Sequence, residues 1–196
     1  MQNEKRQLRA RLRAFRRNLS QAEVEEKSRL IFERLHSFPP FLQAATIVLY
    51  NADENEVQTE AIWQEALRQH KAVYYPRITT DKADLEFVRR LPSDQLVSGM
   101  FGILIPSGSD LLTSLFETDV VLTPGVGFDH HGHRLGRGRG YYDRAFRGVL
   151  AGALRVALAY ESQLVSAIPT DADDEPVHYV MTETRLMRCI SESLPV

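Results

Sequence analysis

Hydrophobic and polar positions along this chain switch between a helical and a strand period. Over residues 3 to 18 the spacing is helical, with Leu8, Leu12, Phe15 and Leu19 on one stripe and Lys5, Arg6, Arg9, Arg11, Arg13, Arg16 and Arg17 around it. Most of these charges read as solvated surface, although Lys5 and Arg9 lie four apart and so share a face. Ser20-Gln-Ala-Glu23 has the form of a capping box and opens a second helix to about residue 36, with Val24, Ile31 and Leu35 inward. Pro39-Pro40 is expected to end helical structure and hand over to a buried strand at 45–50. Thr59 is placed to cap a helix to 69, with Ile62, Ala66 and Leu67 inward and Trp63 as packing. Strands are expected at 72–78, at 85–89 with one exposed face, at 119–122, at 154–160 and, closing the chain, at 180–183. The apolar segment 99–106 is neither helix nor clean strand, and a further helix begins near Tyr141. Because strands and helices alternate through the middle, the pattern predicts an α/β fold: one domain over 1–196, three-layer α/β/α, with a mostly parallel, Rossmann-like central sheet.

Composition narrows this. A chain of 196 residues can bury a substantial core without metals or disulfides. The net charge of -2 argues against a dedicated nucleic-acid binder, since the basic residues are local concentrations in a balanced whole. One cysteine, Cys189, cannot form an internal disulfide, so a cytoplasmic setting is expected and the thiol reads as a small core or strand residue. No apolar run approaches a membrane span, and no secretory signal or membrane partner is expected.

The chemistry concentrates where the strand at 119–122 ends. Gly132, Gly136, Gly138 and Gly140 follow it before the helix at Tyr141, with Arg134, Arg137, Arg139, Arg144 and Arg147 interleaved with them and just beyond. Glycines let backbone N–H groups approach an anion, and guanidinium groups add planar charge, which together suit a polyphosphate. A Gly/Arg-rich stretch also fits a linker or a disordered nucleic-acid-binding segment, but its place between a strand and a helix favours a ligand loop at the carboxyl edge of a sheet. His130, His131 and His133 suggest a metal, yet no Cys or Glu stands at a spacing that would complete a zinc site. The acidic loop at 51–59 and the acidic run at 168–175 each read as ligand contacts, magnesium-holding in the second case, or as solvated connectors, the latter by default for the run.

Pro124-Gly-Val-Gly-Phe-Asp129 followed by Gly132-His-Arg-Leu-Gly-Arg-Gly-Arg-Gly-Tyr-Tyr-Asp143 closely resembles the signature of the 5-formyltetrahydrofolate cyclo-ligase family, also called 5,10-methenyltetrahydrofolate synthetase. Lys5-Arg-Gln-Leu-Arg9, Glu56-Val-Gln-Thr59, Tyr75-Pro-Arg77 and the glycine pattern at 99–106 resemble further parts of it. The resemblance implies ATP and Mg²⁺ as cofactors and a small-molecule folate, 5-formyltetrahydrofolate, as substrate, in a monomer with no nucleic-acid partner. It implies that Lys5, Arg9, Arg134, Leu135, Gly136, Arg137, Gly138, Arg139, Gly140, Tyr141, Tyr142 and Asp143 form the nucleotide site. Arg134, Arg137 and Arg139 carry the catalytic charge, Arg9, Glu56 and Tyr142 orient the folate, and Asp143 holds the metal. Asp53 and Glu54 gain no role from it. Arg77 is left between a folate carboxylate contact and a structural ion pair, and Met100 and Phe101 between ring contact and core. His178 stands where some relatives place a magnesium-binding Asp, which leaves that ligand open. An RNA-binding protein using the Arg/Gly loop, and a sugar-phosphate isomerase or CoA-transferase-like enzyme, are the alternatives.

Overall fold

The structure is a computed structural model that describes residues 1–79 and 84–189, with only the backbone at Phe101. Helix α1 (Gln2–Arg17) leads into α2 (Gln21–His36), which opens on the expected box: Glu23 N donates to Ser20 Oγ at 3.3 Å and Ser20 N to Glu23 Oε2 at 2.8 Å. Pro39-Pro40 does not end helical structure but starts α3 (Pro39–Gln43), because a fixed φ and a missing N–H suit the first positions of a helix. After β1 (Thr46–Val48) comes α4 (Glu60–Arg68). Thr59 precedes α4 without capping it; its hydroxyl donates to Tyr50 O at 2.6 Å and so ties the intervening loop to the end of β1.

Strands β2 (Ala72–Ile78) and β3 (Leu85–Arg89) form a hairpin in which Arg77 opposes Glu86. Arg77 Nε lies 2.5 Å from Glu86 Oε1, which settles it as a structural ion pair. Trp63 packs beneath the Arg90 guanidinium at 3.7 Å. The segment at 99–106 completes a hairpin, β4 (Leu96–Ser98) and β5 (Leu104–Pro106), around a 3-10 turn at Met100–Gly102; glycines at the turn hide the strand period. Then follow β6 (Val120–Thr123), the short hairpin β7 (Gly127–Phe128) and β8 (Arg134–Leu135), α5 (Tyr141–Arg147) and β9 (Leu154–Leu158). The closing strand is β10 (Tyr179–Met181), and it turns into an unexpected antiparallel edge, β11 (Leu186–Arg188). Cys189 follows that edge half-buried, with burial pushing its thiol up to about 12.

The main sheet has the order β11-β10-β9-β6-β1-β2-β3. Strands β10, β9, β6, β1 and β2 run parallel, and both edges are antiparallel. Side chains alternate between faces, as the pleat requires. Ile47, Leu49, Val120 and Leu122 pack with Ile31, Leu35, Phe41 and Ile62 from α2, α3 and α4, whereas Val48 and Val121 pack with Ala145 and Phe146 of α5 on the other side. Helices cover both faces, giving the expected α/β layering. From β1 the chain moves outward to β2 and later returns on the other side of β1 as β6, so the carboxyl ends of β1 and β6 diverge at a topological switch point. Ligand crevices of open α/β sheets form there.

Candidate active site

A cavity of about 600 Å³ occupies the switch point. Its walls differ in chemistry. One part of the lining is the glycine loop from Arg134 to Asp143 with Lys5 and Arg9 of α1, a second is apolar, from Pro76, Ile78, Leu85, Met100, Ile103 and Ile105, and a third is acidic, including Asp53, Glu56, Asp171 and Asp174. Each residue expected in the nucleotide and folate sites lines it: Lys5, Arg9, Glu56, Arg134, Leu135, Gly136, Arg137, Gly138, Arg139, Gly140, Tyr141, Tyr142 and Asp143. Met100 lines it too, while the side chain of Phe101 lies outside the described residues.

The stretch read as one loop is folded in two parts. Buried Asp129 organises a tight turn between β7 and β8, accepting from His131 N at 3.0 Å, His133 N at 3.1 Å and Ile168 N at 2.9 Å, and pairing with His133 Nδ1 at 2.9 Å. The three histidines belong to this turn, not to the cavity wall. The second part, after β8, is the glycine loop proper. Gly138 and Gly140 hold φ of 95° and 64°, left-handed values at which a side chain is strained, and Arg9 Nε donates to Gly136 O at 2.8 Å. Of the interleaved arginines, Arg144 pairs with Asp84 and Arg147 with Asp173, and neither lines the cavity.

Helix α1 departs most from the sequence reading. Leu12 is buried and Leu8 and Leu19 pack against the core as expected, but Phe15 is 51% exposed and Lys5 and Arg16 are buried. Polar residues point inward here because α1 lies over carboxylates. Lys5 Nζ is held by Asp171 at 2.7 Å and Asp174 at 2.5 Å; burial opposes its charge, but the two carboxylates prevail and raise its pKa. The acidic run is therefore partly structural wall, not a solvated connector. Arg16 is 2% exposed, against its expected place on the surface.

Glu54 is clasped by Arg13 at 2.6 Å and by Arg17, which together hold its carboxyl down at about 2. Glu54 and Asn55 both adopt positive φ, 49° and 58°, a strained pair held by those arginines and by Asn55 Nδ2 donating to Leu19 O at 3.0 Å. Their turn delivers Glu56 to the cavity. Arg137 bonds Asp53 Oδ2 at 2.8 Å and Glu56 Oε1 at 3.1 Å. Asp53 and Glu54, which gain no role from the family resemblance, thus shape the site. Burial pushes the Glu56 carboxyl above its ordinary range, against the pull of Arg16 and Arg137. Burial also raises the Tyr142 phenol, whose oxygen has no hydrogen-bond partner among the described residues.

Asp143 Oδ1 accepts from Arg134 Nη2 at 3.0 Å and Glu175 N at 3.4 Å. Among the described residues its other oxygen accepts nothing, and no group of three or more His, Cys, Asp or Glu is set to hold a metal ion. That donor set fits magnesium arriving on a polyphosphate, which needs one or two protein carboxylates, and does not fit a fully caged metal. His178 is remote from this. It precedes β10, at the amino edge of the sheet, where its Nδ1 accepts from Arg155 N at 2.9 Å, and it is not among the residues that line the cavity.

The sequence pattern of the 5-formyltetrahydrofolate cyclo-ligase family matches residues 1–183. The chain is 32% identical over 185 residues to 5-formyltetrahydrofolate cyclo-ligase of Haemophilus influenzae, covering 92% of this chain and 99% of that one. It is 30% identical over 189 residues to the Mus musculus enzyme of the same name, covering 91% and 93%. The solved structure of Aquifex aeolicus 5,10-methenyltetrahydrofolate synthetase matches with a TM-score of 0.82 at 32% identity, over 98% of this chain and 96% of that chain. Sequence and fold agree over nearly the whole chain, which belongs to the 5-formyltetrahydrofolate cyclo-ligase family.

Proposed function

We propose that the cavity closes 5-formyltetrahydrofolate to 5,10-methenyltetrahydrofolate at the expense of ATP, releasing ADP and phosphate. Its mixed lining carries this reading: cationic groups and glycine amides suit a triphosphate, and the apolar residues suit flat folate rings. Family membership sets aside the RNA-binding, isomerase and CoA-transferase alternatives.

The formyl group is an amide, whose oxygen is a poor leaving group. In the proposed course that oxygen attacks the γ-phosphorus and ADP departs. N10 then bonds to the formyl carbon and gives up its proton, the C–O bond breaks, and phosphate leaves with the former formyl oxygen and takes up that proton. Such a transfer asks the protein mainly for positioning and charge stabilisation. Lys5, Arg134, Arg137 and Arg139 with the loop amides would hold the phosphates, and Arg9, Glu56 and Tyr142 the folate. Asp143 would hold Mg²⁺, which neutralises charge developing on the phosphates. The chain would act as a single-domain cytoplasmic monomer; no helix among the described residues is long and apolar enough to cross a membrane. Phosphate release from ATP that requires added 5-formyltetrahydrofolate tests the coupling, and hydrolysis indifferent to the folate contradicts it.

A further inference from the structure

We infer that Arg16 is a positioning residue that fixes Glu56 from beneath the cavity and keeps it ionised when Arg137 is drawn to phosphate. The inference rests on the proposed contact between Glu56 and the folate.

Arg16 sits where the two diverging loops meet. Its Nε donates to Glu54 O at 2.9 Å, on the β1 side, and its Nη1 lies 3.3 Å from both Gly125 O, on the β6 side, and Glu56 Oε1. One planar guanidinium therefore ties both halves of the switch point to the carboxylate that faces the substrate. Its Nη2 makes no hydrogen bond among the described residues but lies 3.6 Å from Glu54 Oε2, so the buried guanidinium is paired with two carboxylates at a desolvation cost that an apolar chain in its place would avoid.

Around Glu56 the charged and titratable neighbours are Arg16 from α1, Arg137 from the glycine loop, Asp53 and Glu54 on its own loop, Tyr50 at the end of β1, Tyr142 of α5 and Tyr160 after β9. Only the two arginines are cations. Arg137 is 37% exposed and belongs to the loop that faces the nucleotide, so it can turn toward phosphate. Arg16, sealed in, stays. Without it, burial acts on Glu56 with less opposition and the carboxyl protonates at higher pH.

The test uses the full chain as wild type, Arg16→Met and Arg16→Lys, with folate KM, ATP KM and kcat measured across pH, and folding checked by thermal melting. Arg16→Met is expected to raise the folate KM roughly tenfold or more near neutral pH, the effect of one lost charged hydrogen bond. The loss should shrink as pH rises, because the acid limb moves upward, while the ATP KM stays within about twofold. Should Arg16→Met not fold, Arg16→Lys carries the test: a single ammonium cannot reach Glu54 O, Gly125 O and Glu56 together, so the folate KM shifts in the same direction but less. A folded variant with an unshifted acid limb, or with ATP KM raised as much as folate KM, overturns this inference alone. A wild-type chain that does not turn over the folate overturns the proposed function and this inference with it.

Discussion

Arg137 Nη2 meets Glu56 Oε1 at 3.1 Å while its Nη1 reaches Asp53 Oδ2 at 2.8 Å, so one guanidinium joins the glycine loop to the loop after β1. In the proposed function a polyphosphate would compete with those carboxylates for Arg137, and its capture by phosphate would free Glu56 to accept hydrogen bonds from a folate ring. A non-hydrolysable ATP analogue is therefore expected to tighten folate binding about fivefold or more, within the usual range of coupling between two sites. Calorimetric titration with and without the analogue measures this, and Arg137→Ala should abolish the difference. Equal folate affinity in both wild-type titrations would contradict it.

Asp143 is paired with Arg134 at 3.0 Å, and the proposed metal contact uses the oxygen that this pair leaves open. Asp143→Asn should raise the magnesium concentration needed for half-maximal activity by roughly tenfold, since a neutral amide is a weak magnesium ligand. Folate affinity measured without metal should stay within about twofold. An unchanged magnesium requirement would remove Asp143 from the metal site.

Gly138→Ala places a side chain at φ 95° in the loop proposed to hold the phosphates. A left-handed alanine costs about 1–2 kcal/mol, which the loop can relieve by moving its amides. Steady-state kinetics should show ATP KM raised about tenfold, with folate KM much less affected. Wild-type kinetics in this variant would show that the loop conformation is not what binds nucleotide.

Glu54, held down to about 2 chiefly by its hydrogen bond from Arg13, links α1 to the site. A carboxyl with a depressed folded value stabilises the fold fully above its ordinary value of 4.5 and progressively less as pH falls through about 2. The melting temperature of Glu54→Gln should thus lie below that of wild type at neutral pH, and the two should converge as pH drops across that interval. A difference independent of pH would mean that the Glu54 charge does not hold α1.

Much of this was legible in the sequence, for a physical reason. The parallel core strands are continuous apolar runs, and the glycine loop announces itself by residues that few other structures require. Legibility failed where burial and polarity part company. A helical wheel sends Phe15 inward and Arg16 outward, and only the carboxylates of Glu54 and Glu56, distant in sequence, reverse that assignment. The clasp of Lys5 by Asp171 and Asp174 had no local signal either, since its partners stand more than 160 residues away. Asn55, a residue that tolerates the left-handed region, was the available hint that the acidic loop is a built turn.

The cavity is proposed to perform the ATP-driven ring closure. The most direct test follows the growth of methenyltetrahydrofolate absorbance with purified chain, 5-formyltetrahydrofolate and Mg-ATP, omitting each in turn, beside Arg139→Ala. Absorbance growth is expected to need every component and to fall by roughly a hundredfold in the variant, as when a charge-stabilising group in phosphoryl transfer is lost. A well-folded wild-type chain that produces no absorbance, or an Arg139→Ala variant as active as wild type, would contradict it.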